Sequence, residues 1–293
     1  MTVDGVVVVD KPAGMTSHDV VDHVRRVFGT RKVGHAGTLD PDATGLLILG
    51  LGRATRFLEY SQAYPKRYRA TAAFGVTTSS QDASGEVLST RSCEGVDAPA
   101  LSQVLLSFVG RIEQTPPMFS AVKVGGERLY RKARRGEEVA RAPRQITIYE
   151  LAVTSFKEGS SPEAILDVRC SAGTYVRTLV HDVGARLGCG AHLRSLRRIE
   201  AGGFVEADAV PLDRLEASSM RPLEDIVRPL ERLDLPEEDV RAVAHGRSLP
   251  ASPDVALGDA RALFSDGRLV AVYRREGQNL RAERVVGDPS GRR

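Results

Sequence analysis

Only three cysteines occur in the 293 residues, Cys93, Cys170 and Cys189, an odd and widely spaced set that excludes a disulfide framework and suits a reducing, cytoplasmic setting. They make no metal site either: His18 and His23 stand five apart, off a common helix face, and no other His or Cys pair has ligand spacing. No basic segment leading into an apolar core opens the chain. No apolar run approaches membrane-spanning length, so a soluble protein without a membrane partner is expected. Phosphate-cradling glycine motifs are missing too: there is no G-x-x-x-x-G-K-[ST] loop, and Gly50-Leu51-Gly52 lacks the third glycine of a dinucleotide fingerprint. Neither a nucleotide nor any other cofactor is expected. Lysine is scarce, six against 35 arginines, which reads either as a preference for bidentate phosphate contacts or as a compositional bias.

What is present is ordinary in bulk: 42% hydrophobic and 27% charged residues describe a globular chain with room for one large and one small domain. The net charge of +3 is too small to argue nucleic-acid binding, but its distribution says more. Between 128 and 144, Arg128, Arg131, Lys132, Arg134, Arg135, Arg141 and Arg144 face only Glu137 and Glu138, a local excess of five that exceeds that of the whole chain. With Pro116, Pro117, Met118 and Phe119 ahead of it, the stretch 116–144 reads as an arm that orders on RNA, or as a solvated helix carrying excess charge.

Val6 to Val9 reads as a buried strand ended by the turn Asp10-Lys11-Pro12-Ala13-Gly14. Thr16 and Asp19 make a capping-box start, with Val20, Val21, Val24, Val27 and Phe28 on one helical face. Leu46 to Leu49 reads as a strand, Lys66-Arg67-Tyr68 opens an alternating one, and a second amphipathic helix buries Val176, Leu179, Val180, Val183 and Leu187. Gly34-His35-Ala36-Gly37-Thr38-Leu39-Asp40-Pro41-Asp42-Ala43-Thr44-Gly45 sets one carboxylate in a glycine-hinged turn, and Pro41 keeps Asp40 out of the helical conformation. Asp40 therefore reads as a presented side chain, or else as an N-cap with Pro41 at the first helical position. Arg177 is a candidate partner that would keep Asp40 ionised, whether for catalysis or as a plain ion pair.

Asp10 to Ser17, Gly34 to Leu47, Lys66-Arg67-Tyr68 and Ser171-Ala172-Gly173-Thr174-Tyr175-Val176-Arg177-Thr178-Leu179 together resemble the ordered motifs of the TruB family, bacterial tRNA pseudouridine-55 synthases. The resemblance runs from about Gly5 to Phe204 and more weakly beyond. Ser79 and Ser80 depart from the Asp and Thr common before the position of Asp82, and Val183 stands for a usual Leu. The resemblance implies isomerisation of uridine to pseudouridine at position 55 in the T loop of tRNA, by base flipping, with Asp40 as the essential carboxylate. It further implies that Tyr68 stacks on the target base and offers its hydroxyl for proton transfer, that Tyr175 walls the pocket, that Arg177 pairs with Asp40, and that Leu196 closes the pocket. His35, Lys11 and Asp82 are implied to contact RNA or support the loop, with Pro12 beside Lys11. Tyrosine packing and turn chemistry account for several of these residues equally well. Arg194, Arg197 and Arg198 are candidates for phosphate, although an amphipathic helix end explains the same run.

The expected architecture is α+β. Residues 1–211 form a catalytic domain with a central mixed, mostly antiparallel sheet and flanking helices, and the basic arm at 116–144 belongs to it. A helical connector spans 212–236, a PUA-like β-rich domain 237–287 binds RNA or only buttresses the first domain, and 288–293 are a disordered tail. A monomer engaging the T arm of tRNA is expected. The rival readings are a tRNA-folding chaperone in which Asp40 is structural, and an Asp-based hydrolase, which requires a second carboxylate at a suitable distance.

Overall fold

Four consecutive β-branched residues favour extended backbone. Val6 to Val9 accordingly lie at the centre of β1 (Gly5–Lys11), buried on both faces. The computed structural model describes residues 3–120 and 122–287, excluding the side chains of Lys123, Arg128 and Arg134. The tail expected at 288–293 and the charges expected from Arg128 and Arg134 thus lie outside the described residues. After β1 come α1 (Ser17–Val27), β2 (Val33–His35), β3 (Thr44–Leu51), α2 (Leu58–Ala63) and β4 (Lys66–Phe74). A hairpin of β5 (Val76–Thr78) and β6 (Val87–Thr90) leads to α3 (Ala98–Leu106) and β7 (Gly110–Gln114). The basic stretch holds a hairpin of β8 (Lys123–Val124) and β9 (Glu127–Arg128) followed by α4 (Leu129–Arg134). Then follow β10 (Arg144–Lys157), β11 (Glu163–Cys170), α5 (Val176–Leu187), β12 (Ala191–Ala201), β13 (Phe204–Val205) and β14 (Val210–Pro211).

The main sheet has ten strands, eight of them in the order β14-β1-β3-β12-β4-β11-β10-β7, with β2 beside β3 and β13 beside β12. Only β1 with β14 and β12 with β3 run parallel, so the sheet is mixed and mostly antiparallel as expected. Its period-2 alternation serves two cores. Val7, Val9, Leu47 and Leu49 face a layer made by α1, α3 and α5, where Val20, Val24, Leu101, Leu179 and Val183 are buried. Val6, Val8, Leu46 and Ile48 face the other way, toward Phe57, Phe204, Ile226 and the C-terminal strands. The capping box on α1 is present, with Asp19 N–H donating to Thr16 Oγ1 and Thr16 N–H donating back to Asp19.

The connector differs from expectation. Residues 212–236 hold short 3₁₀ segments at Leu212–Arg214, Ala217–Ser219 and Leu223–Val227, followed by β15 (Glu231–Asp234). Pro222 and Pro229 lack the amide donor that a helix running through them would need, which keeps the pieces short. A small sheet follows from α6 (Glu237–Ala244), β16 (Leu249–Pro250), β17 (Ala260–Ser265), β18 (Arg268–Glu276) and β19 (Asn279–Val285), ordered β15-β17-β18-β19-β16. Its first strand therefore starts at Glu231, before the boundary drawn at 237. The Asp266-Gly267 turn joins β17 to β18 with φ of 48° and 73°, the left-handed pair that a tight hairpin requires. Ala262, Phe264, Leu269 and Val272 pack into the same core as Val6 and Ile48, so the small sheet is fused to the large one. No helix among the described residues is long and apolar enough to cross a membrane.

Gly45 sits where β3 meets β12, at φ of 97°, and a Cβ there would lie 2.9 Å from the Arg198 backbone nitrogen and closer still to its carbonyl oxygen. Gly45→Ala is expected to lower stability by roughly 2–4 kcal/mol through strain and strand separation. Urea unfolding measures it, and an unchanged midpoint would contradict the close approach.

Candidate active site

The loop between β2 and β3 is pinned on both sides of Asp40. Leu39 N–H donates to Ser17 Oγ at 2.9 Å, and Ser17 Oγ donates to Leu39 O at 3.1 Å. On the other side, the Pro41 carbonyl accepts from Gly14 N–H at 3.0 Å and from Lys11 Nζ at 2.8 Å. Lys11 has no exposed surface, and its remaining donors reach Pro12 O at 2.8 Å and Met15 O at 2.6 Å. Burial pushes its pKa down to about 8, with Asp42 and Asp40 pulling the other way. Lys11 thus supports the loop, as one expectation had it, and is closed to RNA phosphate. No helix follows Asp40: the chain turns and enters β3 at Thr44, which removes the N-cap reading.

Across the cleft, the first turn of α5 delivers Arg177, whose side chain is only 6% exposed. Its Nη2 lies 3.1 Å from Asp40 Oδ2 and donates to Phe119 O at 2.7 Å, while Nη1 lies 3.3 Å from Asp82 Oδ2. The expected Asp40–Arg177 pair is therefore present and extended to a second carboxylate. Asp82 is fully engaged. Its Oδ1 accepts from Ser80 Oγ and Ser84 Oγ at 2.6 Å each and from Ser84 N–H at 3.1 Å. It is thus bound up as a bridging acceptor that anchors Arg177 from the side away from Asp40. Asp40 keeps 48% of its side chain open, yet the protein around it removes enough water to push its pKa above the ordinary carboxylate value, against the pull of Arg177.

Tyr68, on β4, is 9% exposed, and burial raises its pKa while the charge of Arg198 opposes that rise. Tyr175 is half-buried at the N-cap of α5, its backbone held from both ends by Gln114: N–H donates to Oε1 at 2.8 Å, and Nε2 donates to O at 3.0 Å. The Arg177 guanidinium stands 6.0 Å from the Tyr175 ring centroid. Leu196 is half-buried on β12, against the core that holds Tyr68. His35 is half-buried on β2 rather than exposed, and burial and Arg198 lower its pKa, which favours the neutral ring.

The cations divide sharply. Leu193 to Arg198 lies within strand β12, not at a helix end. Arg198 is 1% exposed and donates to Leu46 O at 2.7 Å and Gly37 O at 3.1 Å, so it meets no phosphate from this position. Arg197 is held by both oxygens of Asp10 at 2.9 Å and by Glu206 at 2.6 Å. Arg194 pairs with Glu163 but remains exposed. In the basic stretch, Arg131 and Arg144 are exposed and Lys132 is half-buried. Arg135 is clasped by Glu127 and Glu137, and Arg141 donates to Pro116 O at 3.3 Å. Two site residues escape sequence reasoning: Ser17, which sits inside a noted motif, and Gln114, which no local signal connects to Tyr175.

Family models match the chain from residue 25 to residue 287. The N-terminal domain of the TruB family pseudouridylate synthases matches residues 25–176, the tRNA pseudouridylate synthase B C-terminal domain matches 177–233, and the tRNA pseudouridine synthase II C-terminal model matches 230–287. The chain belongs to the TruB family. It is therefore an isomerase of the pseudouridine synthase class. A relative called tRNA pseudouridine synthase B in Thermobifida fusca (strain YX) is 46% identical over 278 residues, 92% of this chain and 94% of its own. The Mycobacterium tuberculosis (strain ATCC 25618 / H37Rv) protein of the same name is 43% identical over 288 residues, 96% and 95% of the two chains. Among solved structures, a chain of a Cbf5-Nop10-Gar1 complex superposes with a TM-score of 0.76 at 28% identity, covering 98% of this chain and 86% of that one.

Lys11→Met leaves the Pro41 carbonyl without its buried donor and is expected to slow the TruB reaction at least about tenfold by loosening the Asp40 loop. Its pH signature is distinct. With the folded-state pKa near 8 and the ordinary value at 10.5, the unfolded chain binds more protons between those limits, so Lys11 makes stability rise with pH there. Denaturant titrations across that window should lose this part of the slope in the variant, and an identical slope would refute the assignment.

Proposed function

We propose that the chain isomerises uridine to pseudouridine at position 55, in the T loop of tRNA, with Asp40 as the reacting carboxylate. The observation that carries this is the Asp40 carboxylate, open on one side, fixed by the buried Arg177 and seated in a loop pinned at Leu39 and Pro41. A group so held loses little freedom when the reaction begins, which is where positioning lowers a barrier. Family membership and relatives called tRNA pseudouridine synthase B support the substrate and the reaction.

The bond from ribose C1′ to uracil N1 breaks, the base turns, and C1′ bonds to C5. The C5 proton leaves and N1 ends protonated, so no atom, electron or energy donor is needed. A stacked base lies out of reach of Asp40, and its extrusion costs a few kcal/mol, which phosphate contacts offset. Tyr68 stacks on the flipped uracil, with its hydroxyl in reach of proton transfer, while Tyr175 and Leu196 wall the pocket. Arg177 favours the ionised form of Asp40 against the burial that opposes it. An ionised carboxylate here suits three routes: attack at C1′, addition to the uracil ring, and removal of the ribose C2′ proton. Arg131, Lys132, Arg144 and Arg194 supply phosphate contacts, and the C-terminal sheet acts as a PUA-like RNA-binding unit.

Tritium release from tRNA transcript labelled at uridine C5 tests the assignment. Wild type is expected to release label from a transcript with uridine at position 55 and none with cytidine there. Asp40→Asn should lose at least about 10³-fold in rate while tRNA affinity stays within about threefold. Full activity in Asp40→Asn would remove Asp40 from the chemistry, and a folded, tRNA-binding wild type without release would favour the chaperone reading.

The arm makes a separate claim. Replacing Arg131 and Lys132 together by alanine is expected to weaken tRNA binding and flatten log K against log salt by about one to two units. Arg135→Ala should change that slope less, because Glu127 and Glu137 already neutralise Arg135. Equal slopes in all three proteins would rule out phosphate contact by the arm.

A further inference from the structure

Arg198 heads the fully buried side chains by volume, and among the described residues no carboxylate lies within salt-bridge distance of it. A guanidinium buried without a counter-charge is costly, so its place here calls for a role beyond filling space. The strand pairings set Arg198 opposite Tyr68 on one side and next to the β3 residue Gly45 on the other. Its side chain runs beneath the Asp40 loop. Nε donates to Leu46 O at 2.7 Å, Nη2 donates to Gly37 O at 3.1 Å, and Tyr68 is its cross-strand neighbour on β4. Gly37 has φ of 102°, and a Cβ there would come within 3.5 Å of Nη1, so loop and guanidinium are in close fit.

Arginine has donors and no acceptor, so toward this neighbour the Tyr68 oxygen can only accept. The phenolic hydrogen is thereby left for another acceptor, and the Asp40 carboxylate is near enough for its charge to act on the phenol. Arg198 thus holds the loop that carries the carboxylate and adjoins the tyrosine whose hydroxyl handles a proton, from a buried position behind both. We propose that Arg198 is a positioning residue for the isomerisation, fixing the Tyr68 hydroxyl relative to the Asp40 loop, an assignment that rests on the roles given above to Asp40 and Tyr68.

A double-mutant cycle under single-turnover conditions tests it, with full-length protein and C5-tritiated tRNA transcript. Arg198→Lys keeps the charge but cannot serve the loop and the phenol with the same fork. It is expected to lower the single-turnover rate about 30-fold with tRNA affinity within about twofold. In a Tyr68→Phe background the same substitution should lower the rate less than about threefold, because the hydroxyl it positions is gone. Equal losses in both backgrounds, no loss in either, or a loss of affinity without loss of rate would each overturn the proposal. Should Arg198→Lys fail to fold, the guanidinium nitrogen resonances of Arg198 are compared in wild type and Tyr68→Phe. A clear shift is expected, and unchanged resonances would overturn the proposal. Asp40→Asn run in parallel separates the two levels: if it stays active, the site assignment itself is wrong, whatever Arg198 does.

Discussion

The guanidinium of Arg177 is shared among the Asp40 carboxylate, the Asp82 carboxylate and the Phe119 carbonyl, and it is nearly closed to water. Removing a cation from water is tolerable when most of its donors are taken up, and here two acidic side chains and one carbonyl take Nη1 and Nη2, while Nε is buried without a partner. The two carboxylates against one cation leave this cluster formally negative. A negative cleft repels a polyanion, and the fold answers with cations set deep around it: Lys11 lies under the loop, and Arg198 and Lys66 lie behind it. Burial pulls both lysines toward neutrality, to about 8 in each case, so the compensation is adjustable. Asp40 is thus held between opposing influences, with burial raising its pKa and Arg177 restraining the rise.

These charges are kept in place by a sheet with no solvent face at its centre. Val7 and Leu47 serve one core, Val6 and Leu46 the other, so β1 and β3 are fixed in register by apolar contacts on both sides. The C-terminal strands supply half of the second core, and Tyr60 and Glu59 of α2 add polar ties to Glu283 and Arg284. The small sheet is therefore part of the scaffold whatever RNA it touches. Its fusion to the large sheet also fixes the distance between the Asp40 cleft and any phosphate held on the C-terminal surface.

Features set by neighbouring residues were legible in the sequence. The valine run, the Thr16–Asp19 box, the Asp266-Gly267 turn and the apolar face of α5 each follow from a few adjacent residues. Leu193 to Arg198 was not, because β12 carries bulges at Leu193/Ser195 and Arg198/Glu200 that break strict alternation, leaving apolar residues three apart as on a helix. The connector was misread for the opposite reason: its composition suits a helix, but prolines cut it into turns. At the site, Asp40 and Arg177 stood out, whereas the burial of Lys11 depends on carbonyls at Met15 and Pro41, and the clamp on Tyr175 on a glutamine 61 positions away. Side-chain charge is visible in a sequence, but the partner that neutralises it is not. Arg197, Arg198 and Arg135 all looked like surface cations for that reason.

The position of β12 in the sheet bears on how the enzyme comes into being. Although only β13 and β14 of the main sheet are made after it, it lies between β3 and β4, which are themselves early. Until Ala191–Ala201 has left the ribosome, β3 and β4 have no shared neighbour, and the Asp40 loop and Tyr68 belong to separate, unpaired edges. Joining distant segments in this way is slow compared with local hairpin closure, and open edges invite wrong partners meanwhile. A nascent chain halted before β12 therefore has the groups proposed to react, Asp40 and Tyr68, already translated but not yet brought together, so on this reading activity arises in one late step of assembly rather than by degrees.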